Sequence, residues 1–373
     1  MRTPSVLHQG IQEHFASWGF LWREGTEIMS ANPKLLFNIS GGVVFEDVIG
    51  QNVVPEFRRV ASIQNCLRTD GWQKIGFSGR HHLAFEMLGH FSLYEGGERE
   101  VKSLMIESAW RYLTQCVGLN RSSLSATVHP QDTATQIIWS RLGVPTIAND
   151  KNITITPLRN RCGVRTEVMW QNPHSQALME LWNLVFTQFE GDTLFINPMK
   201  KIAADSGMGL DRLVTAAECC SNNYENSNWK SVIEALTVRM PAVKTTLACR
   251  LADLGKASVL LISQGLVPSN KAAAYVLRKI VREAYVVCLQ TRLPFDNFCS
   301  ISVARWCPEG IAPNAVFQVF AEEMQKFESS LERGRKEYQR LLIRNQGELT
   351  AENIEYLSST FGYPRASIEV DSK

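Results

Sequence analysis

The stretch ADSGMGLDR, residues 204–212, combines an acid, two glycines and an arginine in one short segment. Gly207 and Gly209 let a ligand approach the backbone closely, because glycine has no side chain to hold it away. Asp205 is a negative charge that suits an ammonium group, and Arg212 falls one turn into the helix that is predicted to follow. A plain strand-to-helix turn with a solvated arginine would use the same residues, so this segment alone leaves both interpretations open.

A second group of candidate residues surrounds a predicted hairpin. Arg68 ends one predicted strand, and the run RHH at 80–82, which contains His81, begins the next. Two arginines on one hairpin could clamp a polyphosphate, because a guanidinium group binds phosphate oxygens in pairs. Phe85 and Met87 share a face of the second strand, where they could pack against a flat base. The alternative is that these histidines and apolar residues are ordinary partly buried or core residues.

Polar residues interrupt an apolar strand in the segment LWNLVFTQFEG, residues 181–191. Asn183 and Val185 share one face of the predicted strand, and Gln188 follows three residues later. An amide on a buried strand needs a hydrogen-bond partner, which can be internal or a ligand.

The periodicity of the chain predicts two domains that would position these residues. Helices are predicted at 5–18 and 98–116, with strands and turns over 27–95, and further strands at SATVHP, NITITP, RTEVMWQ and ALMELWNLVFTQFEGDTLFI. After about residue 228, long apolar-periodic segments predict helices. We therefore expect an α+β domain with an antiparallel sheet over 1–225 and a helical domain over 226–373, separated by CCSNNYENSN, which has the composition of a linker.

The composition is that of an ordinary globular protein. The 373 residues are 45% hydrophobic and 20% charged, with a formal net charge of +2. A protein whose main task was to grip a polyphosphate backbone would usually be more basic. Nine cysteines without zinc-ligand spacing, and a start without a signal or membrane-spanning run, predict a soluble cytoplasmic protein with no structural zinc and no membrane contact.

Several motifs, in this order, resemble alanyl-tRNA synthetase, a class II aminoacyl-tRNA synthetase. They are RVASIQNCLR with GRHHLAFEMLGHFS, then ELWNLVFTQFEG, DSGMGLDRL and GLVPSNKAAAYVLRKIVREA, and the resemblance extends along almost the whole chain. It implies a class II catalytic domain, an antiparallel sheet flanked by helices, followed by the helical domain that contacts the tRNA acceptor stem in this family. It also implies ATP with Mg²⁺, and attack of an amino-acid carboxylate on the α-phosphorus with release of pyrophosphate.

The resemblance implies roles for individual residues. Arg68 would contact the amino-acid carboxylate and the ATP α-phosphate, and Arg212 would hold ATP, so both are expected to be catalytic. The other expected ATP contacts are Arg80, His81, Phe85, Met87 and Gly209. The expected amino-acid contacts are Asp205 on the α-ammonium group, together with Asn183, Val185, Gln188, Gly207, Gly42 and Thr154. Glu167 matches an acidic position near the site, with a surface or structural role equally open, and the magnesium ligands stay unknown.

The chain also departs from the family pattern. The hairpin loop is shortened to DGWQK, Glu283 replaces a basic residue in YVLRKIVREA, and DLGK at 253–256 replaces D-H-I-R. Each change removes positive charge or contact surface useful for RNA. Gly42 and Thr154 replace a bulky methionine and a bulky tryptophan, which predicts a larger amino-acid pocket suited to alanine or a somewhat larger amino acid. The segment G-D-T-G-P-C-G-P-C is degraded to PLRNRCGVR.

These features leave three functions open. The first is an ATP-dependent amino-acid-activating ligase that transfers the aminoacyl group to a carrier protein or a small molecule in a specialised biosynthetic pathway. The second is an alanyl-tRNA synthetase that acts on tRNA, and the third is a non-catalytic amino-acid-sensing paralogue. We expect a truncated paralogue without the editing and C-terminal domains, and a monomer, because the dimer-forming part of the family has no counterpart in this sequence.

Overall fold

The first part of the protein folds into one large sheet. The computed structural model describes residues 4–45, 57–156, 160–240, 245–361, 363–365 and 368, and for 4–8 and 156 it describes the backbone only. Parts of the predicted segments LLFNISGGVVFEDV, NITITP and PLRNRCGVR lie outside these residues. The strands are β1 Leu21–Trp22, β2 Arg59–Leu67, β3 Ala84–Leu93, β4 Leu124–Val128, β5 Thr146–Ala148, β6 Ile153–Thr156, β7 Arg161–Gln171, β8 Leu178–Glu190 and β9 Pro198–Gly209.

The order of the described strands is β1-β2-β3-β9-β8-β7-β4-β5, with β6 also paired to β7. The pairs formed by β3, β9, β8, β7 and β4 are antiparallel, as is β6 with β7. The predicted α+β class with an antiparallel sheet flanked by helices is confirmed, but both edge pairs, β1–β2 and β4–β5, are parallel. A helix connects β4 to β5, and such a crossover returns the chain in the same direction.

Ten helices occur among the described residues. They are α1 Pro4–Ser17, α2 Glu98–Arg111, α3 Thr133–Arg141, α4 Leu210–Ala217, α5 Lys230–Thr237, α6 Thr245–Ser263, α7 Ala272–Thr291, α8 Phe295–Trp306, α9 Pro313–Arg344 and α10 Ala351–Phe361. The predicted helix at 98–116 is confirmed, and its last turn, Tyr112–Val117, is π-helical. Within the described chain, none of the helices combines the length and the apolar character that crossing a membrane requires.

The chain divides into two compact units. The first contains residues 1–67 and 85–228, and the second contains 68–84 and 229–373. The hairpin loop between β2 and β3 therefore groups with the helices of the second unit. We call the two parts the sheet unit and the helical unit.

The core of the sheet unit lies on one side of the sheet. Trp182, Leu184 and Phe186 of β8 are fully buried, whereas Asn183 and Val185 between them are only half-buried. This two-residue alternation is that of a strand with one covered and one more open face. The covered face packs in a single cluster with residues of α1, α2 and α3, including Phe15, Met105 and Trp139.

His90 of β3 lies in this core as a neutral ring. Its Nε2–H donates to the Met105 carbonyl at 3.1 Å, and its Nδ1 accepts from the Ser206 hydroxyl at 2.6 Å. Burial without water lowers the pKa of His90 to about 3, and the hydrogen bond to Met105 opposes that shift only in part.

The segment CCSNNYENSN, predicted as a linker, is packed instead. Asn223, Tyr224 and Asn226 are buried, and the Asn226 amide donates to the Asp211 carbonyl and the Thr215 hydroxyl, each at 3.0 Å. The asparagines that suggest a linker therefore pack against α4, with hydrogen bonds to Asp211 in its first turn and to Thr215 one turn later.

The helical unit follows the predicted apolar periodicity in its longest helix. Helix α9 buries Val316, Phe320, Phe327 and Leu331 along one stripe and exposes charged residues elsewhere. Helix α6 is buried on nearly every side and therefore lacks an amphipathic pattern. For this reason the sequence analysis does not identify it as a separate helix.

Candidate functional site

The candidate site lies on the open face of the sheet, at the end of strand β9. Ala204, Ser206 and Met208 are buried toward the helices, whereas Asp205, Gly207 and Gly209 are half-buried on the opposite face. The alternation of the strand thus separates the residues for packing from those predicted for ligand binding.

Neighbouring strands extend this face in two rows. In the first row Asp205 of β9 pairs with Val185 of β8, which pairs with Arg165 of β7. Register partners in adjacent strands project from the same face, so these side chains share a surface.

The second row runs alongside the first. Gly207 pairs with Asn183, and Asn183 pairs with Glu167. On the other side of β9, Met87 of β3 pairs with Gly209, and a Cβ atom at Gly207 would lie only 2.9 Å from the Met87 sulfur. The surface at Gly207 is therefore open because this residue has no side chain.

A short 3-10 turn, Gly41–Phe45, borders the first row. A Cβ atom at Gly42 would lie 3.6 Å from Asp205 Oδ2, and Phe45 packs on Phe91 with ring centroids 4.5 Å apart. The structure thus brings Gly42 to the Asp205 carboxylate. A long side chain at position 42 would have its first carbon in van der Waals contact with that carboxylate, so glycine leaves this space open.

Arg212 lies in the first turn of α4, where β9 ends. A Cβ atom at Gly209 would be 4.0 Å from Arg212 Cγ. The Arg212 guanidinium donates through Nη1 to the Glu180 carbonyl at 2.8 Å, and the same nitrogen is 3.5 Å from Glu180 Oε2. Arg212 is therefore positioned at the glycine end of the site, and its side chain keeps 27% of its exposure.

Arg165 is a site residue that the sequence analysis missed. Its Nε is 3.3 Å from Glu167 Oε1, close enough for an ion pair, but the N–H is not directed at that oxygen and makes no hydrogen bond among the described residues. Glu167 Oε2 accepts from Thr127 Oγ1 at 3.1 Å, and Thr127 Oγ1 accepts from the buried Asn152 amide at 2.8 Å. The signal that could have found Arg165 is its spacing of two from Glu167, which places both on one face of β7.

Two predicted amino-acid contacts lie away from these rows. Gln188 is buried and donates to Glu98 Oε1 of α2 at 3.1 Å, beside the buried Lys102 that also binds Glu98, so it belongs to the helix-covered side. Gln188 is three residues from Val185, an odd spacing that places it on the same face of β8 as the fully buried Phe186. Thr154 pairs with Gly163 at the far side of β7.

The predicted ATP contacts are divided between the two units. Phe85 and Met87 are half-buried on one face of β3, as the alternation predicts. Arg68 follows β2 directly, and its backbone N–H donates to Leu83 O at 2.9 Å. Arg80 and His81 belong to the helical unit.

The prediction that Arg80 and His81 begin a strand is wrong, since β3 starts at Ala84. The Ser78 hydroxyl bonds the His81 backbone N–H at 3.2 Å and His81 Nδ1 at 2.7 Å. Gly79, with φ of 69°, turns the chain out of the extended path.

His82 has a structural role in the helical unit. Its Nδ1 lies 2.7 Å from Asp253 Oδ2, and its ring stacks on Trp229 at 4.5 Å with an interplanar angle of 11°. Asp253 Oδ1 also accepts the Leu83 backbone N–H at 2.7 Å. The first residue of the DLGK motif thus fixes the end of the hairpin loop.

Glu283 is engaged in the same way. Its carboxylate accepts from Trp72 Nε1 at 2.6 Å and from Arg250 Nε at 2.7 Å, and Arg250 Nη1 donates to the Ile75 carbonyl at 3.0 Å. The Lys279 ammonium lies 5.3 Å from the Trp72 ring centroid. We call Trp72, Arg250 and Glu283 the loop clamp, because they tie the hairpin loop to α6 and α7.

No group of three or more His, Cys, Asp or Glu side chains that could hold a metal ion occurs in the part of the chain that the structure describes. The nine cysteines are free thiols.

Comparisons with known proteins place this geometry in a family. The family model "tRNA synthetases class II (A)" matches residues 13–370. The chain is 30% identical to "Alanine--tRNA ligase" of Nitrosomonas europaea over 96% of this chain and 45% of that protein, and 28% identical to "Alanine--tRNA ligase" of Thermotoga petrophila over 97% of this chain and 46% of that protein. The chain spans a little under half the length of these curated relatives.

Among solved structures, apo histidyl-tRNA synthetase of S. aureus aligns with 12% identity and a TM-score of 0.40, over 58% of this chain and 68% of that chain. The family model covers nearly every residue of both units, including the strand with Asp205 and the helix with Arg212. This chain belongs to the class II (A) tRNA synthetase family.

Proposed function

We propose that this chain is an ATP-dependent amino-acid-activating ligase. The amino-acid carboxylate attacks the α-phosphorus of ATP, the bond from the α-phosphorus to the pyrophosphate oxygen breaks, and an aminoacyl-adenylate and pyrophosphate result. ATP enters with Mg²⁺ as substrate. The aminoacyl group then passes to an acceptor other than tRNA, such as a carrier-protein thiol or a small-molecule amine or hydroxyl, in a specialised biosynthetic pathway. In this step the acceptor attacks the carbonyl carbon, the bond from that carbon to the phosphate oxygen breaks, and AMP leaves.

The proposal rests mainly on Asp205, Gly207 and Gly209, which lie along the open face of β9, and on Arg212, which follows this strand. A half-buried carboxylate attracts an ammonium group more strongly than a fully solvated one, because less water screens the charges. The glycines leave space for the ligand against the backbone, and the guanidinium supplies positive charge for phosphate. Positioning and charge stabilisation are what this reaction requires of a protein, and no covalent bond to the enzyme is needed.

Within this proposal Asp205 holds the α-ammonium group, and Asn183 and Val185 line the amino-acid side of the face. Arg212 holds ATP. The ATP contacts of Arg68, Arg80, His81, Phe85 and Met87 rest on the family resemblance and stay predictions, as do the monomeric state and the cytoplasmic location.

The choice of acceptor rests on how the helical unit uses its cations. Arg250 is engaged by Glu283, and Arg282 Nε donates to the buried Glu323 carboxylate at 2.6 Å. Cations paired to acids within the protein contribute little net charge toward a phosphate backbone, on which nucleic-acid affinity mainly depends. This supports an acceptor other than tRNA.

The experiment is amino-acid-dependent ATP–pyrophosphate exchange with the purified chain and no RNA. Exchange with one or a few amino acids is expected, and Arg68→Ala should abolish it while the exposed-site variant Asp150→Asn retains it. ATP binding with no exchange for any amino acid would contradict the proposal and favour the non-catalytic sensing function.

The second candidate function is aminoacylation of tRNA, which the names of the curated relatives favour. It predicts that tRNA binds and that its affinity falls steeply with salt, by about 1,000-fold or more between about 50 and 200 mM if six or more phosphates are contacted. Charging of tRNA by the purified chain would establish this function and overturn the proposed acceptor.

A further inference from the structure

Two buried polar atoms, one hydrogen-bond donor and one acceptor, lack partners on the face of the sheet that carries Asp205. Among the residues that the structure describes, Arg165 Nε–H has no hydrogen-bond acceptor and Asn183 Oδ1 has no donor. A buried donor or acceptor without a partner is costly, because it has lost its hydrogen bonds to water and nothing in the protein replaces them. On the open face of a binding site, the group that satisfies such atoms is expected to be the ligand.

The side chain of Arg165 is held in place without being satisfied. Glu167 lies 3.3 Å from its Nε, and Glu167 is itself fixed from behind by the hydrogen bond from Thr127, which accepts from Asn152. The side chains of Asn152 and Thr127 are buried, so this support is rigid. Glu167 therefore neutralises the guanidinium charge and leaves its Nε–H available as a donor.

The two atoms flank the path that an amino acid would take from Asp205. Neighbouring strands are about 4.8 Å apart, so Arg165 on β7 is about 10 Å across the sheet from Asp205 on β9. Val185 of β8 lies between them in register, and Asn183, two residues away on the same face of β8, is in register with Gly207 and Glu167. An amino acid with its ammonium group at Asp205 would extend its side chain over β8, toward Asn183 and Arg165.

The hydrogen-bonding properties of Arg165 Nε–H and Asn183 Oδ1 indicate which side chain the amino-acid substrate carries. A carboxylate would satisfy Arg165 but would face Asn183 Oδ1 and Glu167 with further acceptors. An ammonium group would face Arg165 with a second positive charge, and an apolar side chain would leave both atoms unsatisfied. We propose that the activated amino acid carries a neutral side-chain group that both donates and accepts hydrogen bonds, a hydroxyl or a carboxamide, and that Arg165 and Asn183 select it. This inference rests on the proposed function.

The test uses matched polar and apolar pairs in ATP–pyrophosphate exchange with the unmodified chain: serine with alanine, and the near-isosteric pairs threonine with valine and asparagine with leucine. In at least one pair the polar member should have a kcat/KM about 10-fold or more above its apolar partner, because a site built for a polar group rejects the analogue that lacks it. Exchange in which no polar member exceeds its partner contradicts this inference and leaves the proposed function standing. Exchange with no amino acid at all contradicts both.

The variant Arg165→Met tests the assigned residue, because methionine keeps an unbranched apolar stem and removes the donor. The ratio of polar to apolar kcat/KM should fall about 10-fold or more, mainly through a higher KM for the polar substrate. Arg141→Met, at an exposed position of α3, is the matched control and should leave the ratio unchanged. A ratio that Arg165→Met does not move, in a variant that still exchanges, would overturn the role of Arg165.

Discussion

At the scale of single residues, the charge of Asp205 is the feature that the proposed activity depends on most. Asp205→Asn keeps the size of the side chain and removes the charge that would meet an ammonium group. A charge-assisted hydrogen bond contributes about 1.5–3 kcal/mol, so the KM for the amino acid in exchange should rise about 10- to 100-fold.

Thermal unfolding of Asp205→Asn should stay close to that of the unmodified chain, because the residue is half-buried on an open face. Asp150→Asn in an exposed turn is the matched control. An unchanged KM for the amino acid in Asp205→Asn would exclude the ammonium contact.

Two glycines on the same sheet should lose stability to different extents when alanine replaces them. A Cβ atom at Gly163 would lie 1.7 Å from the Phe186 carbonyl oxygen, which is backbone and cannot move aside, whereas at Gly207 the close atom is the sulfur of a flexible methionine. Gly163→Ala should lower the free energy of unfolding by about 3 kcal/mol, and Gly207→Ala by no more than about 1 kcal/mol.

Gly207→Ala should nonetheless lower kcat/KM in exchange about 10-fold or more, because the methyl group occupies the floor of the site. Urea unfolding and exchange assays on both variants check this. Full activity in Gly207→Ala would show that no ligand approaches the backbone there.

At the scale of elements, the packing of β3 against α2 should make stability depend on pH through His90. Its pKa in the folded protein, about 3, is below the unfolded value of 6.5. As pH falls below about 6.5 the unfolded chain binds a proton that the folded chain refuses, so stability falls by up to about 1.4 kcal/mol per pH unit until about pH 3.

Urea unfolding at about pH 7 and pH 5.5 measures this slope in the unmodified chain and in His90→Gln. Burial also lowers the pKa of His14, which contributes equally to both proteins, so the difference isolates His90. Equal pH dependence in the two proteins would contradict the buried neutral ring.

The loop clamp should hold the hairpin loop on the helices. Glu283→Lys would remove the acceptor of Trp72 Nε1 and place a cation beside Arg250, whose side chain is 12% exposed. Loss of this partly buried pair should destabilise the helical unit by about 2 kcal/mol, less than a fully buried pair would.

Hydrogen exchange of residues 68–84 is the sharper measurement for the loop clamp. Amide exchange there should accelerate at least about 10-fold in Glu283→Lys and stay unchanged in the control Glu309→Lys at an exposed position. Unchanged protection of the loop in Glu283→Lys would show that the clamp does not order it.

Local periodicity in the sequence predicts helices and strands. Contacts between residues that are far apart in the chain cannot be predicted in this way. The residue types in 204–212 predict a candidate site whose Asp205, Gly207 and Gly209 share one face of β9, and the apolar period predicts α9. Glu283 appears in the sequence only as a lost positive charge, since its partner Trp72 is 211 residues away. The odd spacing between Val185 and Gln188 places Gln188 on the helix-covered face of β8, whereas its partner Glu98, 90 residues away, cannot be read from a local pattern.

At the scale of the whole molecule, the proposed amino-acid activation does not depend on tRNA. The net charge of +2 is small, and Arg250 and Arg282 are paired to acids inside the helical unit, which favours an acceptor other than RNA. The chain belongs to the class II (A) tRNA synthetase family, and the adenylate formation proposed for the sheet unit would depend on Asp205 and Arg212.

ATP–pyrophosphate exchange by the unmodified chain tests the proposed amino-acid activation most directly. The assay covers the common amino acids and is run once without RNA and once with added tRNA. Charging of that tRNA is followed in the same tubes. We expect exchange with a small set of amino acids at the same rate in both series, and no charged tRNA. Exchange that requires tRNA, or tRNA that becomes charged, would contradict the proposed acceptor, and no exchange in either series would contradict activation itself.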